Sequence, residues 1–119
     1  MPTFRLERGP SFEKDLHTIL GLYPNSQKSI ETAFESLCSN PTQGERYPSL
    51  GFAGVYKLRL PLKEYNVGKS KGLRIIYFVM DTTCIILLVY AYRKTAYRGE
   101  NVIIAEVKKR LKQTLNSKI

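Results

Sequence analysis

At 119 residues the chain has the usual length of one domain, and with 43% hydrophobic residues it can bury a core without disulfide or metal staples. Nineteen Lys/Arg against ten Asp/Glu leave a formal net charge of +9, which favours a polyanionic partner: nucleic acid, an anionic membrane surface or an acidic protein. One histidine, His17, and two cysteines, Cys38 and Cys84, at no metal-ligand spacing exclude a zinc site. The cysteines lie in apolar runs and read as small buried hydrophobes.

Thr3 to Glu7 predicts a short first strand, ended by Gly9-Pro10. Ser11 can cap a helix over Phe12–Leu20, whose apolar stripe is Phe12, Leu16, Ile19 and Leu20. Gly21 and Pro24 break it. Asn25 or Ser26 can cap a second helix reaching Cys38, with Ile30, Ala33, Phe34, Leu37 and Cys38 on one side. The short connection makes the two an antiparallel αα-hairpin. Residues 39–53, rich in Gly and Pro, form a connection within the domain.

Strand logic follows. Val55-Tyr56-Lys57-Leu58-Arg59-Leu60 alternates, so Tyr56, Leu58 and Leu60 share one face and Val55, Lys57 and Arg59 the other. After Pro61 comes a basic loop with Lys63, Lys69 and Lys71. Leu73–Met80 and Cys84–Tyr92 predict two more strands around an Asp81-Thr82-Thr83 turn. Continuous apolarity from Cys84 to Val89 predicts burial on both faces. Leu73–Tyr92 has the length of a membrane span, but Arg74 and Asp81 within it and its β-branched content exclude that reading. Asn101 can cap a last helix to Leu115, with Ile104, Val107, Leu111 and Leu115 inward and Lys108, Lys109, Arg110 and Lys112 on a wet basic side. The order is β-α-α-β-β-β-α, an α+β class.

The charge is uneven. Residues 1–50 carry five Lys/Arg against six acids, a net of −1, and residues 51–119 carry fourteen against four, a net of +10. Gly68-Lys69-Ser70 is too short a match for a nucleotide-binding P-loop, because Lys63 stands where that motif needs its first glycine. The larger constellation is Lys57, Arg59, Arg74, Arg93, Lys94 and Tyr97. These residues converge on one groove if the three strands form a meander. The cluster has neither paired carboxylates nor a Ser-His-Asp set. RNA, however, supplies its own nucleophile, the 2′-OH. Cleaving it needs a base, cations for the charge that builds on phosphorus, and an acid for the leaving 5′-oxygen. A lysine among cations can act as base, an arginine can hold phosphate in a bidentate grip, and a tyrosine can stack on a base or move a proton. No cofactor or metal is required.

At these residues the chain resembles the RelE/ParE superfamily of toxins from type II toxin–antitoxin pairs, on its RelE/HigB-like branch. The carriers are Gly54-Val55-Tyr56-Lys57-Leu58-Arg59-Leu60, Gly68-Lys69-Ser70-Lys71-Gly72-Leu73-Arg74-Ile75-Ile76-Tyr77, Leu87-Leu88-Val89-Tyr90-Ala91-Tyr92-Arg93-Lys94-Thr95 and Ala105-Glu106-Val107. The resemblance implies a single RelE-like domain over 1–119. Its small antiparallel β-sheet would carry the N-terminal αα-hairpin on one face, with a C-terminal helix following.

It further implies a cytoplasmic mRNA interferase, an endoribonuclease that cleaves mRNA on the ribosome without metal. Lys57 and Arg59 match the paired basic positions, Arg74 the arginine after the glycine loop, Arg93 or Lys94 the late basic position and Tyr97 the late aromatic. Lys63, Lys69, Lys71 and Arg98 would add RNA contacts. Arginine at position 59, where lysine is common, shifts the duty of base to Lys57, Lys94 or Tyr97. The implied partners are mRNA, the ribosome and a cognate antitoxin, acidic or of helix-turn-helix type, that covers the basic groove; no membrane is involved. The rival classes are a ParE-like gyrase poison and a non-cleaving member that binds only RNA or protein.

Overall fold

In a computed structural model the described residues are 3–47, 54–96 and 99–117. The elements are β1 (Arg5–Arg8), α1 (Pro10–Leu22), α2 (Gln27–Ser39), β2 (Glu45–Arg46), β3 (Val55–Leu60), β4 (Leu73–Met80), β5 (Ile85–Arg93) and α3 (Glu100–Ser117). The α+β architecture is the expected one. α1 starts earlier than expected, at Pro10, whose fixed φ suits the first helical position, with Gly9 rather than Ser11 as N-cap. Ser26 holds the N-cap position of α2, but its hydroxyl donates to the Tyr23 carbonyl at 2.7 Å instead of capping the helix.

The sheet order is β1-β5-β4-β3-β2. β3, β4 and β5 are antiparallel neighbours, whereas β1 joins β5 in parallel. A parallel neighbour needs a long crossover; here most of the chain separates the two strands, so local patterning carried no sign of the pairing. β2 is a two-residue edge strand inside the expected connection, too short to alternate visibly.

The sheet is covered on both faces. Phe12, Leu16, Ile19, Ile30, Phe34 and Leu37 of the αα-hairpin meet Leu58, Leu73, Ile75, Val79, Ile86 and Leu88. On the other face Ile103, Val107 and Leu111 of α3 meet Val55, Ile76, Leu87, Val89 and Tyr92. Each fully buried side chain of this size contributes about 1.5–3 kcal/mol. β5 thus feeds both layers, as its unbroken apolar run predicted. The 73–92 stretch is the β4–β5 hairpin, and among the described residues no helix is long and apolar enough to cross a membrane. Both cysteines are only half-buried, a correction to their reading as core; Cys84 falls in the β4–β5 turn at φ 54°.

Arg110 is a second correction. The sequence pattern predicts it on the wet side of α3, yet its side chain is only 13% exposed. It grips Asp15 of α1 with Nη1 at 2.5 Å and Nη2 at 3.2 Å, and donates to the Val89 carbonyl at 3.0 Å. Its Nε donates to Glu106 at 2.7 Å, and its guanidinium lies 4.3 Å from the Tyr90 ring centroid. The cause is a β-bulge. Ile76 pairs with Tyr90 and Tyr77 with Leu88, so Val89 is left out of register. Arg110 satisfies the Val89 carbonyl, and Asp15 accepts the Ala91 N–H at 3.0 Å.

Tyr77 ties the hairpin layer to the 40–47 connection. It is fully buried, stacks on Tyr56 at 5.6 Å, and its hydroxyl accepts the Gly44 N–H at 3.0 Å. A Cβ at Gly44 would stand 2.7 Å from the Lys57 carbonyl and 2.8 Å from the Tyr77 hydroxyl, so only glycine passes there. Burial pushes the Tyr77 phenol up to about 12. In an unfolded chain it would titrate near 10. Above that value the unfolded chain loses a proton that the folded chain keeps. Stability contributed by this group is therefore full below about pH 10 and falls toward pH 12, by roughly 2–3 kcal/mol in all. Tyr77→Phe removes that slope and lowers stability near neutral pH by about 1 kcal/mol. Urea midpoints of both proteins from about pH 8 to about pH 11 check this.

Candidate nucleic-acid interface

Strand register brings distant cations together. Arg59 of β3 pairs with Arg74 of β4, and Arg74 pairs with Tyr92 of β5. Directly opposed residues share a face. Lys57, two residues before Arg59, lies on that face too, opposite Ile76. This is the α3 side of the sheet, where Tyr92, the partner of Arg74, packs in the same cluster as Ile103 of α3.

Two opposed arginines repel, and the fold separates their charges. The Arg74 guanidinium, 4% exposed as a residue, turns back under the loop before β4. It donates to the carbonyls of Lys69 at 2.8 Å, Leu73 at 3.2 Å and Ser70 at 3.2 Å. Burial and the nearby Arg59 push its pKa down, against the pull of Tyr92 and Glu45. The loop sits close because Gly72 lacks a side chain: a Cβ there would lie 2.0 Å from the Leu60 carbonyl. Arg59 turns outward to Glu45 at 3.0 Å, with side chains 46% and 60% exposed. An ion pair this wet is worth at most about 1 kcal/mol, so a phosphate can displace Glu45. The Lys57 ammonium lies 5.5 Å from the Tyr47 ring centroid. Tyr47 in turn hydrogen-bonds Glu100 at the start of α3.

Arg74 therefore organises the loop as well as charging the face. Arg74→Ala is expected to lower stability by about 1–3 kcal/mol, since three carbonyls lose their donor. Trypsin should then cut faster at Lys69 and Lys71, on the released loop; unchanged digestion and an unchanged urea midpoint would remove this role.

The other expected site residues divide. Lys69 and Lys71 are exposed on the loop over Arg74. Lys94 follows β5 in a single 3₁₀ turn, and its N–H donates to the Gly72 carbonyl at 2.9 Å, at the same end of the sheet. Arg93 does not join them: it pairs with Leu73 and follows Ala91 in alternation, which puts it on the hairpin side. Lys63 is also elsewhere, in a 3₁₀ turn held to the αα-hairpin by Tyr65 and Glu64, which bond Asn25 and Ser29. Tyr97 and Arg98 lie outside the described residues. Tyr92, Tyr47 and Glu45 were not expected here. Alternation along β5 could have placed Tyr92; Glu45 and Tyr47 sit beside an edge strand with no sequence signal.

Among the described residues, a five-stranded sheet with an αα-hairpin on one face and a C-terminal helix on the other has the layout of a RelE-like fold. A solved structure of the E. coli toxin RelE, a double arginine-to-alanine mutant in the free state, is similar over 92% of this chain and 98% of that chain, with a TM-score of 0.57 and 18% identity. No protein-family model matches the sequence, and no curated protein matches it.

Proposed function

We propose that this chain acts as a single-domain cytoplasmic toxin of a type II toxin–antitoxin pair, on the HigB-like branch, and that it cleaves mRNA on the ribosome without metal through the RNA 2′-OH. The observation that carries this reading is the row of Lys57, Arg59 and Arg74 on one sheet face, with the Lys69–Lys71 loop at its end. Arg59 grips the scissile phosphate once Glu45 yields. Arg74 fixes the loop and adds charge where the phosphorus builds negative charge. Lys57 takes the 2′-OH proton. A cognate antitoxin, acidic or of helix-turn-helix type, silences the protein by covering this row with an acidic segment.

Two observations favour a second reading, a member that binds RNA without cutting it: Arg59 is paired with Glu45, and the Arg74 guanidinium already serves three carbonyls. Inducible expression without antitoxin, followed by mapping of transcript ends, separates the two. Growth arrest with new internal ends in translated mRNAs, lost when ribosomes are omitted in vitro, is the expected result. Normal growth with intact transcripts would select the second reading.

A further inference from the structure

In the free protein the cationic row is occupied by the chain's own groups. Arg74 donates to three carbonyls, Arg59 meets Glu45 at 3.0 Å, and Lys57 lies 5.5 Å from the Tyr47 ring centroid. Two of these three engagements come from one short segment, residues 44–47, along the outer edge of β3. Register puts Glu45 there. It pairs with Lys57, so its side chain stands on the face of the row and reaches diagonally to Arg59. The segment is fastened at three points. The Gly44 N–H donates to the Tyr77 hydroxyl at 3.0 Å, the Tyr47 N–H to the Val55 carbonyl at 2.8 Å, and the Tyr47 hydroxyl to Glu100 of α3. The Glu45 side chain, 60% exposed, can swing away while that backbone stays in place.

We infer that Glu45 is a built-in competitor for the RNA phosphate, a carboxylate that the 44–47 strap holds on Arg59 so that the free row is closed to weak polyanions. The inference rests on the reading of this row as an RNA-binding face. A carboxylate and a phosphate offer a guanidinium the same kind of acceptor, so the two exclude each other on Arg59. An ion pair this exposed shifts an equilibrium by at most about fivefold. That sets a threshold without blocking the site. A lone anion must replace a bond already made. An RNA strand brings several phosphates at once, and its contacts with Lys57 and the loop of Lys69 and Lys71 offset the loss. Glu45 thus tunes affinity and takes no part in cutting.

The test measures binding of a short fluorescein-labelled 2′-O-methyl RNA, which lacks the attacking hydroxyl, to the wild type, Glu45→Gln and Glu35→Gln. Glu35 is exposed on α2, across the sheet, so its change adds the same net charge away from the row. Glu45→Gln should bind about threefold to fivefold more tightly than the wild type. Its plot of log Kd against log salt should steepen by about 0.7, since one more cation then meets phosphate in place of an internal carboxylate. Glu35→Gln should stay within about twofold of the wild type. In an Arg59→Gln background the gain from Glu45→Gln should vanish. Thermal melts establish that each variant is folded; should Glu45→Gln not fold, Glu45→Ala decides in the same way. Equal affinity and salt slope for the wild type and Glu45→Gln, an equal gain from Glu35→Gln, or no binding of the probe by any of them overturns the inference. Because the probe is not cut, the ribonuclease reading fails separately: intact transcripts on induction remove that reading, while tighter binding by Glu45→Gln still supports this one.

Discussion

Asp15→Ala is expected to lower stability by about 3–5 kcal/mol, because a largely covered arginine loses its bidentate acceptor and the Ala91 N–H loses its partner. For a domain of this size the melting temperature falls by on the order of 10–20 °C. Asp15 on α1 and Arg110 on α3 have side chains 14% and 13% exposed. Their bond crosses the sheet end and joins the two covering layers. Without the carboxylate, Arg110 keeps Glu106 and Val89 but loses its bidentate partner, and the Ala91 N–H at the bulge loses its acceptor. Asp15→Asn keeps an acceptor for Ala91 and should lose less. The double change of Asp15→Ala with Arg110→Leu should fall short of the summed single effects by about 1–3 kcal/mol, because each single change already removes the shared bonds. Denaturation midpoints of the four proteins check this; strict additivity would mean that the pair does not hold the layers together.

Lys57→Ala is expected to reduce cleavage by roughly 100-fold or more, the contribution of a positioned proton acceptor. Folding should change by no more than about 1 kcal/mol, since Lys57 is half-exposed and its described contact is with the Tyr47 ring. Lys57→Arg separates two explanations. Arginine keeps the positive charge but cannot give up its proton in this range. If Lys57 is the base, Lys57→Arg loses cleavage while retaining RNA binding. If it serves only as a cation, Lys57→Arg stays active and the base lies elsewhere, at Lys94 or Tyr97. Cleavage rates on ribosome-bound mRNA, with binding measured beside them, give the answer.

These two residues mark how far the sequence could be read. Lys57 was legible because strand alternation is strict: once Val55–Leu60 is a strand, Lys57 and Arg59 must share a face, and a following antiparallel strand brings Arg74 to it. The αα-hairpin was legible from its helical stripes. The Asp15–Arg110 pair was not. Arg110 neighbours Leu111 on a basic helix, and only the bulge at Val89 gives its charge a buried partner. The parallel β1–β5 pairing was hidden for a similar reason, since it depends on a contact across most of the chain. Of the two residues that fit the late basic position, alternation past Tyr92 sends Arg93 to the hairpin side, and Lys94 is the one at the cationic end. The inward turn of Arg74 depends on Gly72 letting the loop approach Leu60, a consequence of three-dimensional closeness that spacing alone does not carry.

The central claim is that RNA's own hydroxyl is the nucleophile, served by side chains of one cationic face. The chemistry of the cut ends tests it most directly. Attack by the 2′-oxygen on phosphorus expels the 5′-oxygen, so each cut must leave a 2′,3′-cyclic phosphate on one fragment and a 5′-hydroxyl on the other. Ligation-based end typing of transcripts from induced cells should find those ends in the wild type and lose them in Lys57→Ala. Cuts bearing 5′-phosphates would mean that water attacked instead, and this assignment of the face would be wrong.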